Sequence, residues 1–111
     1  MKIKFNLNGT PRTFIVDPSE TALTLLRKNG IFSVKDGCTG EGTCGNCAFL
    51  LNGKLVNSCL ILAPQLEDSD VRTSETLAVG PNIGRIQQAF LETGMVQCGY
   101  CTPAMLMATV E

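Results

Sequence analysis

Four of the six cysteines in this 111-residue chain lie within one short stretch, at a spacing suited to a metal centre. Residues 35–59 read KDGCTGEGTCGNCAFLLNGKLVNSC, which gives a C-x5-C-x2-C-x11-C pattern at Cys38, Cys44, Cys47 and Cys59. Four thiolates can complete a tetrahedral zinc site or hold a two-iron, two-sulfur cluster. A disulfide framework is a third possibility, although the opening residues MKIKFNLNG do not form a secretory signal.

Glycines surround the first three of these cysteines, at Gly37, Gly40, Gly42 and Gly45. Such a loop can fold tightly around a small group and bring backbone N–H groups close to it. Thiolate and sulfide sulfurs are negatively charged and accept hydrogen bonds from N–H groups, which also tune a reduction potential. The glycines therefore favour a [2Fe–2S] cluster, with one iron on Cys38 and Cys44 and the other on Cys47 and Cys59.

A second cysteine pair, Cys98 and Cys101, has C-x2-C spacing and precedes a predicted helix. The pair alone has three interpretations: a redox disulfide of thioredoxin type, half of a second metal site, or two buried thiols. A cluster needs four ligands, and no other cysteines remain in the sequence to supply the missing two.

The elements that must position the first motif begin with two strands and a helix. Alternating apolar residues predict strands at 2–8 and 12–16, joined by a turn at 9–11. Asp17 is the predicted N-cap of a helix that runs to about Lys28. Two strands, a helix and then the cysteine loop are the opening of a β-grasp arrangement.

A predicted hairpin follows the loop and has a chemical consequence. Residues 48–51 and 54–56 are short strands, and Asn52-Gly53 between them is a strong type I′ turn signal. The hairpin should bring Cys59 back beside Cys47, as a four-thiolate site requires.

The rest of the chain changes from strand to helix. Residues 70–73 are the predicted last strand, and residues 74–82 are a polar connection. A helix ending at Gly94 and a final apolar helix from Thr102-Pro103 follow. The first of these helices carries an apolar stripe at Ile83, Ile86, Ala89 and Phe90.

Composition excludes several classes of function. The formal net charge is −1 with a pI of about 5.4, so no basic surface is expected for nucleic acid or an anionic membrane. The chain has no histidine, which excludes an imidazole base or ligand. Six cysteines in an apparently cytoplasmic chain favour metal or redox chemistry over structural disulfides.

The two cysteine motifs together resemble those of a known family. The run GCTGEGTCGNC with Cys59 behind it, followed by VQCGYCTPAM, is similar to the small iron–sulfur subunit of the molybdenum hydroxylases. That group contains the xanthine, carbon monoxide and nicotinate dehydrogenases. The likeness covers nearly the whole chain.

The resemblance implies an α+β fold in two parts. Residues 1–76 would form a ferredoxin-like β-grasp domain with one [2Fe–2S] cluster on Cys38, Cys44, Cys47 and Cys59. Residues 77–111 would begin a helical domain for a second cluster, with Cys98 and Cys101 as two of its ligands. Gln97 corresponds to the family glutamine that contacts the pterin of the molybdenum cofactor.

The resemblance also implies a role and partners. A large molybdopterin-binding subunit and an FAD-binding subunit would assemble with this chain in the cytoplasm. Electrons would pass from molybdenum through the clusters toward FAD, and no bond would be made or broken on this chain. The alternatives are a stand-alone ferredoxin-like carrier, against which Gln97 argues, and a zinc-bound or metal-free binding module.

Two departures from the family pattern carry expectations. The family has four residues between its first two cysteines and this chain has five, residues 39–43, so the loop could bulge. The family also has a later C-x-C pair that completes the second cluster, and the sequence ends at Glu111 without it. A second cluster would form only if a partner supplied the missing ligands. We expect instead a truncated form that lacks the second cluster, or a degenerate relative.

Overall fold

The computed structural model describes residues 1–38, 40–77, 84–94 and 96–110. The strands are β1 (Lys2–Leu7), β2 (Thr10–Ile15), β3 (Ala48–Leu51), β4 (Lys54–Asn57) and β5 (Asp70–Arg72). The α-helices are α1 (Ala22–Lys28), α2 (Arg85–Thr93) and α3 (Thr102–Val110). Short 3₁₀ helices cover Ser58–Leu60, Ala63–Leu66 and Ser74–Leu77.

The five strands form one mixed sheet in the order β2-β1-β5-β3-β4. β1 pairs antiparallel with β2 and parallel with β5, while β3 pairs antiparallel with both β4 and β5. The apolar residues of β1 and one face of α1 enter the same core. Phe5 and Phe14 stack within it at a centroid distance of 5.0 Å. The sheet and its helix confirm the β-grasp prediction.

The turn between β1 and β2 differs from the prediction. It is formed by Asn8 and Gly9, with φ of +53° and +84°, and not by residues 9–11. Positive φ at both central residues is the type I′ geometry, which suits the twist of a two-residue hairpin. Thr10 and Pro11 belong to β2, and Pro11 is tolerated there because β2 is an edge strand.

The start of α1 was also predicted too early. Asp17 closes a turn instead, since its Oδ1 accepts the Ser19 N–H at 2.9 Å. The helix N-cap is Thr21, whose Oγ1 accepts the Thr24 N–H at 3.2 Å. The predicted end at Lys28 is confirmed.

The second hairpin follows the prediction. Asn52 and Gly53 have φ of +51° and +84°, which places a type I′ turn between β3 and β4. The Asn52 side chain also accepts the Asp70 N–H at 2.8 Å, which fixes the turn to the start of β5. The hairpin is therefore attached to β5 both at its turn and along β3.

The helical part follows the predicted pattern in its main features. α2 ends at Gly94, which has φ of +70°. Within the predicted apolar stripe of α2, Phe90 is buried and Ile86 is half-buried, whereas Ala89 is exposed. Ile83 and residues 78–82 of the predicted connection lie outside the described residues, as does Glu111.

α3 packs against both β3 and α2 and buries Ala104, Leu106 and Met107. None of the helices in the described parts of the chain is long and apolar enough to cross a membrane.

Candidate metal centre

The cysteine-rich loop connects α1 to β3 and is closed at its base. The Lys35 N–H donates to the Asn46 carbonyl at 3.0 Å, so the two ends of the loop meet. The loop is packed tightly at Gly37, where an added β-carbon would lie 3.0 Å from Cys44 Sγ. Thr39, within the longer first gap, lies outside the described residues.

Cys38 and Cys44 form one pair of thiols. The Cys38 thiol accepts hydrogen bonds from the backbone N–H groups of Cys44 and Thr43, and also interacts with the Thr43 hydroxyl and the Cys44 thiol. These donors lower the pKa of Cys38 from 9.0 to about 6. Cys44 Sγ in turn accepts the Asn46 N–H at 3.4 Å. The loop therefore stabilises negative charge on Cys38.

Cys47 and Cys59 form the second pair, which is buried, with exposed fractions of 2% and 7%. The Ser58 N–H donates to the Cys47 carbonyl at 3.3 Å, and the Cys59 thiol contacts the Cys47 thiol. Burial, and then the neighbouring Cys47, raise the pKa of Cys59 to about 11. The prediction that the hairpin returns Cys59 beside Cys47 is confirmed.

The two pairs are connected to one another. The Gly42 backbone N–H donates to the Cys59 thiol, and Cys59 is within electrostatic range of Cys38. All six cysteines are free thiols. In the described part of the chain, no group of three or more Cys, Asp or Glu side chains could hold a single metal ion.

The donor set fits a [2Fe–2S] cluster. Each iron of such a cluster takes two protein ligands, and the loop supplies thiols in two adjacent pairs. Backbone N–H groups already point at Cys38, Cys44 and Cys59, as expected where sulfurs carry negative charge.

The second motif lies beside the first one. Cys98 and Cys101 are exposed, as is Gln97, in the segment that leads into α3. The Cys101 thiol lies 3.6 Å from the sulfur of Met105. Cys101 and Cys44 line the same cleft. The structure therefore brings the two motifs to one place, although it does not supply further cysteines to Cys98 and Cys101.

Two residues near the site were missed by the sequence reasoning. Tyr100 contacts the base of the cysteine loop, and Ser58, next to Cys59, is fully buried. The only signal for Tyr100 is its position between the two cysteines of the C-x2-C pair. No pattern in the sequence around Ser58 distinguishes it from an exposed serine.

Comparisons with known proteins agree with this geometry. A model of the 2Fe-2S iron-sulfur cluster binding domain matches residues 5–78, and a [2Fe-2S] binding domain model matches residues 73–111. The nicotinate dehydrogenase small FeS subunit of Eubacterium barkeri is 45% identical over 95% of this chain and 67% of its own length. The xanthine dehydrogenase iron-sulfur-binding subunit of Escherichia coli O157:H7 is 42% identical, over 96% and 67%.

A solved structure gives the same relationship in three dimensions. Quinoline 2-oxidoreductase from Pseudomonas putida 86 superposes with a TM-score of 0.93 at 38% identity. The match covers 96% of this chain and 66% of that one. The chain thus spans about two thirds of the length of these three relatives.

Proposed function

We infer the role of this chain from its family: it belongs to the small [2Fe–2S] iron–sulfur subunits of the molybdenum hydroxylases. It is accordingly an electron-transfer subunit of an oxidoreductase. We propose that it passes electrons from a molybdopterin centre on a large partner subunit toward an FAD-binding subunit. We propose further that no substrate reacts on this chain.

Cys38, Cys44, Cys47 and Cys59 are the proposed ligands of the first cluster. The observation that carries this proposal is the arrangement of the four thiols as two adjacent pairs in one closed loop. A bound cluster supplies reversible one-electron chemistry. The chain binds it through these thiols and directs backbone N–H groups toward their sulfurs. Burial of Cys47 and Cys59 keeps water from one side of the site.

Cys98 and Cys101 are the proposed ligands on this chain for a second cluster. Their exposure leaves room for additional ligands. Gln97, also exposed, is the residue proposed to face the pterin of the partner subunit. The proposed division into residues 1–76 and 77–111 assigns one cysteine motif to each part. A cytoplasmic location remains a prediction from cysteine usage.

The first experiment is a count of iron, acid-labile sulfide and zinc per chain on anaerobically purified protein. We expect at least about two irons and two sulfides per chain, and a [2Fe–2S] EPR signal after dithionite reduction. One zinc per chain without sulfide would contradict the proposal. Co-purification with a large and an FAD-containing subunit is expected, whereas a stand-alone carrier would elute by itself.

A further inference from the structure

Tyr100 contacts the base of the cysteine loop across a long separation in sequence. Its hydroxyl donates to the Asp36 carbonyl at 2.9 Å, although the two residues are 64 positions apart. The Lys35 ammonium lies 5.5 Å from the centroid of the Tyr100 ring, within the range of a cation–π interaction. The phenol is therefore held by two consecutive loop residues.

Each side of this contact is next to a proposed cluster ligand. Tyr100 directly precedes Cys101, and Asp36 is separated from Cys38 only by Gly37. The loop side is itself anchored, because the Lys35 N–H donates to the Asn46 carbonyl and its ammonium donates to the Phe32 carbonyl. A displacement of Tyr100 would therefore alter the placement of one motif relative to the other.

The two cysteine motifs also line a common cleft. It has a volume of about 440 Å³ and is lined by residues of the first loop (Cys44, Gly45, Asn46), of the hairpin (Ala48, Leu55, Asn57), and of the second motif and α3 (Cys101, Ala104, Met105, Ala108). Most of these side chains are small, and Met105 is flexible. The separation of Cys44 and Cys101 therefore depends on contacts around the cleft, which include the packing of α3 on β3 and the Tyr100 contact with the loop.

We propose that Tyr100 is a positioning residue that fixes the C-x2-C segment, residues 98–101, against the first cysteine loop. It does so through its hydroxyl on Asp36 and its ring beneath Lys35. For electron transfer, which rests on the proposed function, this contact sets the separation and relative orientation of the two cysteine motifs. The contact fixes residues 98–101 against the loop whether or not the chain carries electrons.

The test compares Tyr100→Phe with the parent full-length chain by amide hydrogen exchange. The variant keeps the ring and its contact with Lys35 but removes the hydrogen bond. A net hydrogen bond of about 1 kcal/mol corresponds to about fivefold faster exchange in residues 35–46 and 98–101. Thr93→Val is the matched control, because the Thr93 hydroxyl donates to the Ala89 carbonyl at 2.8 Å within α2. Unchanged exchange in both segments of Tyr100→Phe would overturn the inference.

A second readout uses the assembled enzyme with its clusters. Tyr100→Phe should leave the iron content unchanged and alter the magnetic splitting between the reduced clusters in the EPR spectrum, while Thr93→Val should not. Parent-like splitting in Tyr100→Phe would overturn the electron-transfer part of the inference. A parent enzyme that holds only the first cluster, and so shows no splitting, would also overturn that part. A parent chain without cluster iron would instead overturn the proposed function, and the exchange comparison would still decide the Tyr100 contact.

Discussion

Gly42 lies directly against the side chain of Leu60. A β-carbon added to Gly42 would come within 3.0 Å of both terminal methyl carbons of Leu60. Gly42 has φ of +77°, and its N–H donates to the Cys59 thiol, one residue before Leu60. The close approach at Gly42 therefore holds the first part of the loop onto the segment that carries Cys59.

Gly42→Ala should destabilise the chain and lower its cluster content. The left-handed backbone costs an L-residue about 1–2 kcal/mol, and the added β-carbon would meet the methyl carbons of Leu60 at 3.0 Å, so either the Leu60 side chain or the Gly42 backbone must shift. Gly40→Ala is the control, since Gly40 has φ of +78° but no atom within 4 Å of an added β-carbon. Urea unfolding and iron content should show the larger loss for Gly42→Ala. Equal losses would mean that Leu60 exerts no constraint.

Cys59→Ala should remove the first cluster. Cys59 is buried against Cys47 and is one of the four proposed ligands of this cluster. We expect the loss of about two irons per chain together with the visible absorption of the cluster. In the isolated chain Cys98→Ala is the control and should keep this iron, because the two thiols of the second motif cannot complete a cluster by themselves. A visible spectrum in Cys59→Ala identical to that of the parent would exclude Cys59 as a ligand.

Local sequence signals predicted those parts of the fold that local chemistry determines. The Asn52-Gly53 signal gave the correct hairpin, and with it the approach of Cys59 to Cys47. The start of α1 was wrong because Asp17 accepts hydrogen bonds equally well in a helix cap and in an isolated turn. Thr21 then provides the actual cap.

Contacts between distant residues could not be predicted in the same way. The hydrogen bond from Tyr100 to Asp36 depends on how α3 packs against β3, and no short pattern in the sequence encodes that packing. The separation of the thiols into an accessible pair and a buried pair likewise depends on the folded hairpin. The sequence predicted which cysteines act together, and the structure provides their different electrostatic environments.

The thiols of Cys38 and Cys59 should give the stability of the metal-free chain opposite pH dependences on the two sides of pH 9. The pKa of Cys38 falls from 9.0 to about 6 on folding. The stability that Cys38 contributes is therefore complete above pH 9 and is lost as the pH falls through 6. The pKa of Cys59 rises to about 11 on folding. The stability that Cys59 contributes is therefore present below pH 9 and is lost as the pH rises through 11.

Urea midpoints measured between pH 6 and pH 11 on chelator-treated protein under reducing conditions test this profile. Cys38→Ser should flatten the rise between pH 6 and 9 and leave the fall above pH 9 unchanged. Cys59→Ser should have the opposite effect. A parent profile that decreases steadily from pH 6 would contradict the environment assigned to Cys38.

Ser58→Ala should stabilise the protein, which is an unusual outcome for a buried position beside a proposed ligand. Ser58 is fully buried, and its hydroxyl has no hydrogen-bond partner among the described residues. An unpaired buried hydroxyl costs about 1–3 kcal/mol, so its removal should raise the free energy of unfolding by about 1 kcal/mol. The Ser58 N–H bond to the Cys47 carbonyl survives the substitution, and cluster content should not change.

Ser69→Ala is the matched control, because the buried Ser69 hydroxyl donates to the Leu66 carbonyl and its removal should lower stability by a similar amount. Destabilisation by both substitutions in urea unfolding would show that the Ser58 hydroxyl has a partner in solution, such as a buried water.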